Sequence, residues 1–134
     1  MFQKILKRSR NRKGFTLVEV IVVAVIVAIL AAVAIPLYLG YINSSKVNTA
    51  NNIGSSAASY LAAARNTGAA AGGVTGFAAS IAAGTSLSYT PSGSAEAVTF
   101  VVPAKATLAT TGTEAAGGTV ICTYDTKVGS SYNF

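Results

Sequence analysis

From residue 15 to residue 35 the chain reads FTLVEVIVVAVIVAILAAVAI, a stretch in which only Thr16 and Glu19 are polar. As a helix, these 21 residues span about 30 Å, the thickness of a bilayer's hydrocarbon core. Pro36 closes the run. It has no N–H to give the carbonyl of Ala32, so the helix either ends there or bends. The residues that follow favour the bend. Ile42, Val47, Ala50, Ile53, Ala57, Leu61 and Ala64 recur mostly at three- and four-residue steps among Asn, Ser and Lys. That is an amphipathic helix with one buried stripe. Asn66-Thr67-Gly68 provides a glycine stop, so one helix is predicted from about residue 15 to about residue 66.

The remaining 68 residues are rich in Ala, Gly, Ser and Thr. Residues 68–76 (GAAAGGVTG) read as a loop, and 77–83 (FAASIAA) as a short helix or an irregular turn. Residues 87–90, 97–102 and 119–124 carry β-branched and aromatic side chains between Gly, Pro, Ser and Asp. They read as antiparallel strands packed on the helix, with a last strand near 130–134. Val98, Phe100 and Val102 share one face of the second strand, and Val120, Cys122 and Tyr124 one face of the third. Residues 107–118 read as an exposed loop. So short a segment has a thin core that leans on the helix and on neighbours. The predicted class is α+β: a long N-terminal helix, transmembrane in its first half and amphipathic in its second, packed on a small antiparallel sheet. The organisation is a basic leader at 1–14, a hydrophobic helix at 15–36, an amphipathic helix at 37–66 and a β-rich head at 67–134.

Composition narrows the function. The 134 residues include no His, no Trp and one Cys, and the acidic side chains are Glu19, Glu96, Glu114 and Asp125. The commonest general base and metal ligand is missing, and neither an intrachain disulfide nor a thiolate zinc cluster can form. An ordinary hydrolase, a metalloenzyme and a disulfide-stapled toxin all fit poorly; no enzyme activity and no cofactor is expected. The net charge of +6 is local, because Lys4, Lys7, Arg8, Arg10, Arg12 and Lys13 precede the apolar run. From Phe15 onward four basic and four acidic side chains balance. No basic face remains to lie on phosphates, so no direct nucleic-acid contact is expected. Basic residues directly before an apolar span keep the N-terminus cytoplasmic and send the remainder outward.

Three readings meet in the N-terminal segment. A cleaved secretory signal would use Ala32-Val33-Ala34 as its small-residue site, but the apolar stretch is longer than usual and holds a carboxylate. A plain anchor fits the length and has no use for Glu19. The third reading joins Glu19 to Gly14. A carboxylate in an apolar span is costly unless it snorkels to the interface or finds a partner, and no basic side chain follows it within the span. Cutting between Gly14 and Phe15 would create an α-amino group four residues before Glu19. In a bundle of staggered helices, the amine of one subunit could meet Glu19 of the next. Such a buried match fixes register more than it adds strength.

The run Lys13-Gly14-Phe15-Thr16-Leu17-Val18-Glu19, followed by apolar residues to Pro36, resembles the class III leader of type IV prepilins and related pseudopilins. The resemblance implies a pilin-like fold and cleavage after Gly14 by a prepilin peptidase, with N-methylation of the new terminus at Phe15. It assigns Phe15, Glu19 and Pro36 to assembly. The subunit would cross the bacterial inner membrane once, with its N-terminus cytoplasmic. Inner-membrane pilus assembly machinery would then draw it into a helical homopolymer, an extracellular pilus. Ala28 stands where family members often carry glycine. The alternatives are a pseudopilin of a type II secretion or DNA-uptake system and a small membrane-anchored periplasmic binding domain.

Other candidates are weaker. Cys122 reads as a small inward-facing hydrophobe. Asn43-Ser44-Ser45 matches a glycosylation sequon but falls in a predicted helix. Glu96, Glu114 and Asp125 are too dispersed for a calcium site, which needs six to eight oxygens. The six tyrosines read as packing residues rather than as a conduit for electrons.

Overall fold

The computed structural model describes residues 14–68, 73–113 and 116–134. Helix α1 runs Leu17–Asn66, followed by β1 (Ser80–Ile81), β2 (Ser86–Tyr89), β3 (Val98–Val101), β4 (Ala106–Thr113), β5 (Gly117–Tyr124) and β6 (Lys127–Asn133). The chain divides into two compact units, one reaching Tyr38 and one starting at Leu39. The first is the apolar start of α1. Pro36 lies inside the helix, so the helix does not end there.

The second unit holds the sheet. Strands β1, β4, β5 and β6 form a four-stranded antiparallel sheet in the order β1-β4-β5-β6. Strands β2 and β3 form a separate antiparallel pair. The second half of α1 buries Ala50, Gly54, Ala57, Ala58, Leu61 and Ala64, packed with Ile81, Leu87, Val102, Leu108, Val120, Cys122 and Phe134. The fold is α+β and pilin-like, a long N-terminal helix packed on a small antiparallel sheet. Of the predicted stripe, Ala50, Ala57, Leu61 and Ala64 are buried, while Ile42, Val47 and Ile53 are half-buried at its margin. The helix face is made of small side chains, so the sheet comes close. A Cβ on Gly54 would stand 3.1 Å from the Tyr132 ring, and one on Gly129 would stand 2.8 Å from Asn51 Oδ1 and 3.0 Å from the Ala50 carbonyl carbon.

The main correction lies at residues 107–118. They do not form an exposed loop: β4 occupies Ala106–Thr113 and β5 starts at Gly117. Ala106, Leu108 and Thr110 point inward while Thr107, Ala109 and Thr111 point outward. The alternation is genuine, but alanine and threonine on both faces give it almost no hydropathy contrast. Thr110 is tolerated inside because its hydroxyl donates to the Ala78 carbonyl at 2.7 Å. Residues 77–83 contain no helix; irregular chain leads into β1. The strand β3 turns only Val102, just past its end, fully inward; Phe100 is half-buried and Val98 exposed. Within the predicted loop 68–76, residues 69–72 lie outside the described residues, as does Glu114.

Candidate assembly segment

The chain at Gly14, Phe15 and Thr16 is irregular and exposed, and the helix begins at the next residue. Gly14 has open space where a Cβ would stand, and Phe15 is 82% exposed. The Gly14–Phe15 peptide therefore lies before α1 and outside its hydrogen-bond ladder. Thr16 caps the helix: its hydroxyl accepts the Glu19 N–H at 3.3 Å, and its carbonyl accepts the same N–H at 3.1 Å. Thr-x-x-Glu is the spacing of a capping box, a signal in the sequence separate from the charge argument for Glu19. It gives Glu19 a local part to play, because a carboxylate in the first turn faces the positive end of the helix dipole.

Gly14 and Phe15 therefore directly precede the cap of one helix, and Glu19 lies in its first turn. Pro36 lies 17 residues beyond Glu19, about 25 Å along the axis, and is not part of that cluster. Between them every large apolar side chain is exposed, including Val20, Val23, Val27 and Leu30. By length and composition this helix is able to cross a membrane. Glu19 has no ion-pair partner among the described residues. The basic residues up to Lys13 lie outside the described residues.

The head contains no comparable cluster. Among the described residues no three of His, Cys, Asp and Glu gather as a metal ion would require. Glu96 sits before β3 and Asp125 in the β5–β6 turn, where Asp125 Oδ2 pairs with Lys46 Nζ at 2.7 Å. The hydrogen bond and charge of Lys46 hold the Asp125 carboxyl below its ordinary range. Cys122 is fully buried, and burial raises its thiol pKa. Tyr38 and Tyr41 are exposed. Tyr60 packs edge-on to Tyr89 at 5.2 Å and tilted to Phe100 at 5.6 Å.

Residues 9–35 match the family described as the prokaryotic N-terminal methylation motif. The chain is 45% identical over 42 residues to the fimbrial protein EcpC of Eikenella corrodens, covering 31% of this chain and 28% of that one. It is 54% identical over 37 residues to the type IV major fimbrial protein FimA of Dichelobacter nodosus, covering 28% of this chain and 24% of that one. The chain thus spans about a quarter of the length of the curated relatives it matches. No solved structure matches it at comparable significance. The methylation motif and the two fimbrial relatives fall on the same stretch: the N-terminal segment of this chain is similar to that of type IV prepilins.

Proposed function

We propose that the chain is a structural subunit of a type IV pilus-like filament. It is held first in the inner membrane by residues 15–36, with the leader 1–14 cytoplasmic. A prepilin peptidase cuts between Gly14 and Phe15, and the Phe15 amine is methylated. Assembly machinery in the inner membrane then moves the subunit into a helical polymer of its own kind. The observation that carries this reading is a helix with an exposed apolar surface all round and one carboxylate, Glu19, in its first turn. Apolar helices satisfy such a surface in lipid or against each other, and either setting penalises an unpaired charge. The Phe15 amine of a staggered neighbour supplies the opposite charge, so the pair sets register. Pro36 removes one N–H from the helical ladder and gives the helix a place to bend as it packs.

Two Glu19 variants separate this role from simple capping. Glu19→Val removes the charge and the side-chain half of a capping box while leaving the residue-19 N–H to Thr16; Glu19→Gln keeps a capping-box side chain and loses only the charge. Both are expected to insert in the membrane and to fail in filament growth, read by electron microscopy of sheared appendages. Normal filaments from Glu19→Gln would reduce Glu19 to a cap. N-terminal sequencing of protein recovered from its host is expected to begin at methylated Phe15; a first cycle of Met1 would overturn the processing.

A further inference from the structure

Charge is sorted along the head in a way that sequence order hides. Of the four basic side chains in residues 39–134, Lys46, Lys105 and Lys127 gather at one end. Lys46 pairs with Asp125 at 2.7 Å, and the Asp125 N–H donates to the Lys105 carbonyl at 3.0 Å. Lys127, two residues on, lines an open cleft with Asn43, Ser44 and Asn48 of α1. Asp125 thus answers Lys46 directly. Lys105 and Lys127 have no carboxylate within ion-pair distance among the described residues. The fourth cation, Arg65, is committed elsewhere, donating to the Phe134 carbonyl at 3.0 Å.

Glu96 lies at the opposite end. Its loop starts at Ser92, whose N–H donates to the Thr67 carbonyl at 3.4 Å, just past the end of α1. The loop returns at Val98, whose carbonyl accepts the Tyr60 hydroxyl at 2.8 Å. Glu96 is exposed and has no basic partner among the described residues. From Lys46 to Thr67 the helix rises about 30 Å. Two heads stacked end to end along this axis in the same direction therefore bring unlike charges together, whereas end-to-end stacking in opposite directions brings like against like.

We infer that the Lys105/Lys127 end of one head docks on the Glu96 loop of a second copy of the chain, with the two helices parallel. This rests on the filament reading and deepens it, because it names a head-to-head-domain contact separate from Glu19. The surfaces differ, so the contact is heterologous and repeats open-endedly along a polymer. Opposite charges select the parallel orientation more than they add affinity.

The test uses filaments of the full chain sheared from the host and treated with a water-soluble carbodiimide. That reagent condenses a carboxylate with an amine, losing water, only where the two touch. Peptide mass analysis is expected to find Glu96 joined to Lys105 or Lys127, a link one copy cannot make across its own head. Glu96→Gln lies in an exposed loop, keeps the fold and loses the link. Glu96→Lys is expected to lower filament yield about fivefold, and Lys127→Glu added to it to restore the yield. Intact wild-type filaments with Glu96 unlinked, or a yield indifferent to Glu96→Lys, overturn this inference and leave the filament reading standing. A host that makes no filaments from the wild-type chain overturns the filament reading and this one with it.

Discussion

Asp125 and Thr126 close the β5–β6 hairpin with φ of 44° and 69°, left-handed values that suit the strand twist. A β-branched residue is strained there. Thr126→Gly relieves that strain, and glycine's extra freedom when unfolded offsets part of the gain. The expected result is a stabilisation of about 0.5–1 kcal/mol in chemical denaturation. The Asp125 carboxyl is held low by Lys46. Its contribution is therefore present above the unfolded carboxyl's pKa and lost as pH falls through the folded one. Lys46→Met should flatten that acid limb. Tyr60 works in the opposite direction. Its hydroxyl reaches the Leu87 and Val98 carbonyls at 2.9 and 2.8 Å, and burial, then Tyr89, push it up to about 12 from 10.0. A raised pKa means that the folded chain holds the proton more tightly. The stabilisation is whole below pH 10 and disappears as pH rises from about 10 to about 12. Tyr60→Phe should cost about 1–2 kcal/mol at neutral pH and remove that part of the alkaline loss, a difference that denaturation at pH 8 and pH 11.5 would reveal.

Elements differed in how plainly their residues announced them. The N-terminal half of α1 is an uninterrupted apolar run, and its second half a stripe ending in Ala57, Leu61 and Ala64; both patterns are strong enough to read unaided. The strand β4 was hidden because Ala106, Leu108 and Thr110 alternate with Thr107, Ala109 and Thr111, side chains too alike to separate a face. Gly54 and Ala58 were likewise missed from the buried stripe, since smallness, not hydropathy, places them there. Near the start of α1, Gly14, Phe15 and Glu19 stand out in the sequence by the Gly-Phe junction and the lone carboxylate; their role in assembly belongs to the proposed filament. The Thr16 cap answers a different demand, an unpaired helix N–H rather than a charge, and the apolar and charge patterns carry no sign of it. Close packing between α1 and β6 yields a contrast between two glycines. At Gly129 a methyl group would meet the Asn51 carboxamide and the Ala50 backbone, and it would disturb the 2.7 Å bond from Ser130 N–H to Asn51 Oδ1. Gly129→Ala should destabilise by about 1–3 kcal/mol. At Gly54 the neighbour is the Tyr132 ring, a side chain able to shift, and alanine gains about 1 kcal/mol of helix propensity. Gly54→Ala should therefore be nearly neutral, and parallel thermal melts would separate the two.

At the scale of the whole molecule, burial and exposure fall on different parts of one chain. Among the described residues no side chain before Ala50 is buried, and the exposed large apolar ones run from Phe15 to Tyr41 with few beyond. The core that holds the sheet on α1 is complete within residues 39–134, including the Lys46–Asp125 pair and the Arg65 bond to Phe134. The segment that calls for lipid or for other copies lies before it. A protein divided this way should survive division. Residues 39–134 expressed alone should be monomeric in water without detergent and unfold in one cooperative step, with a denaturant midpoint close to that of the full chain in a mild detergent. The full chain should need detergent or assembly to remain dispersed, because its exposed apolar surface far exceeds what monomeric soluble proteins carry. Sedimentation and circular dichroism on the two species would decide. A fragment that is unfolded in water would mean that the thin head draws its stability from the N-terminal helix or from neighbouring copies, and the separation of a membrane-directed half from a self-sufficient head would fail.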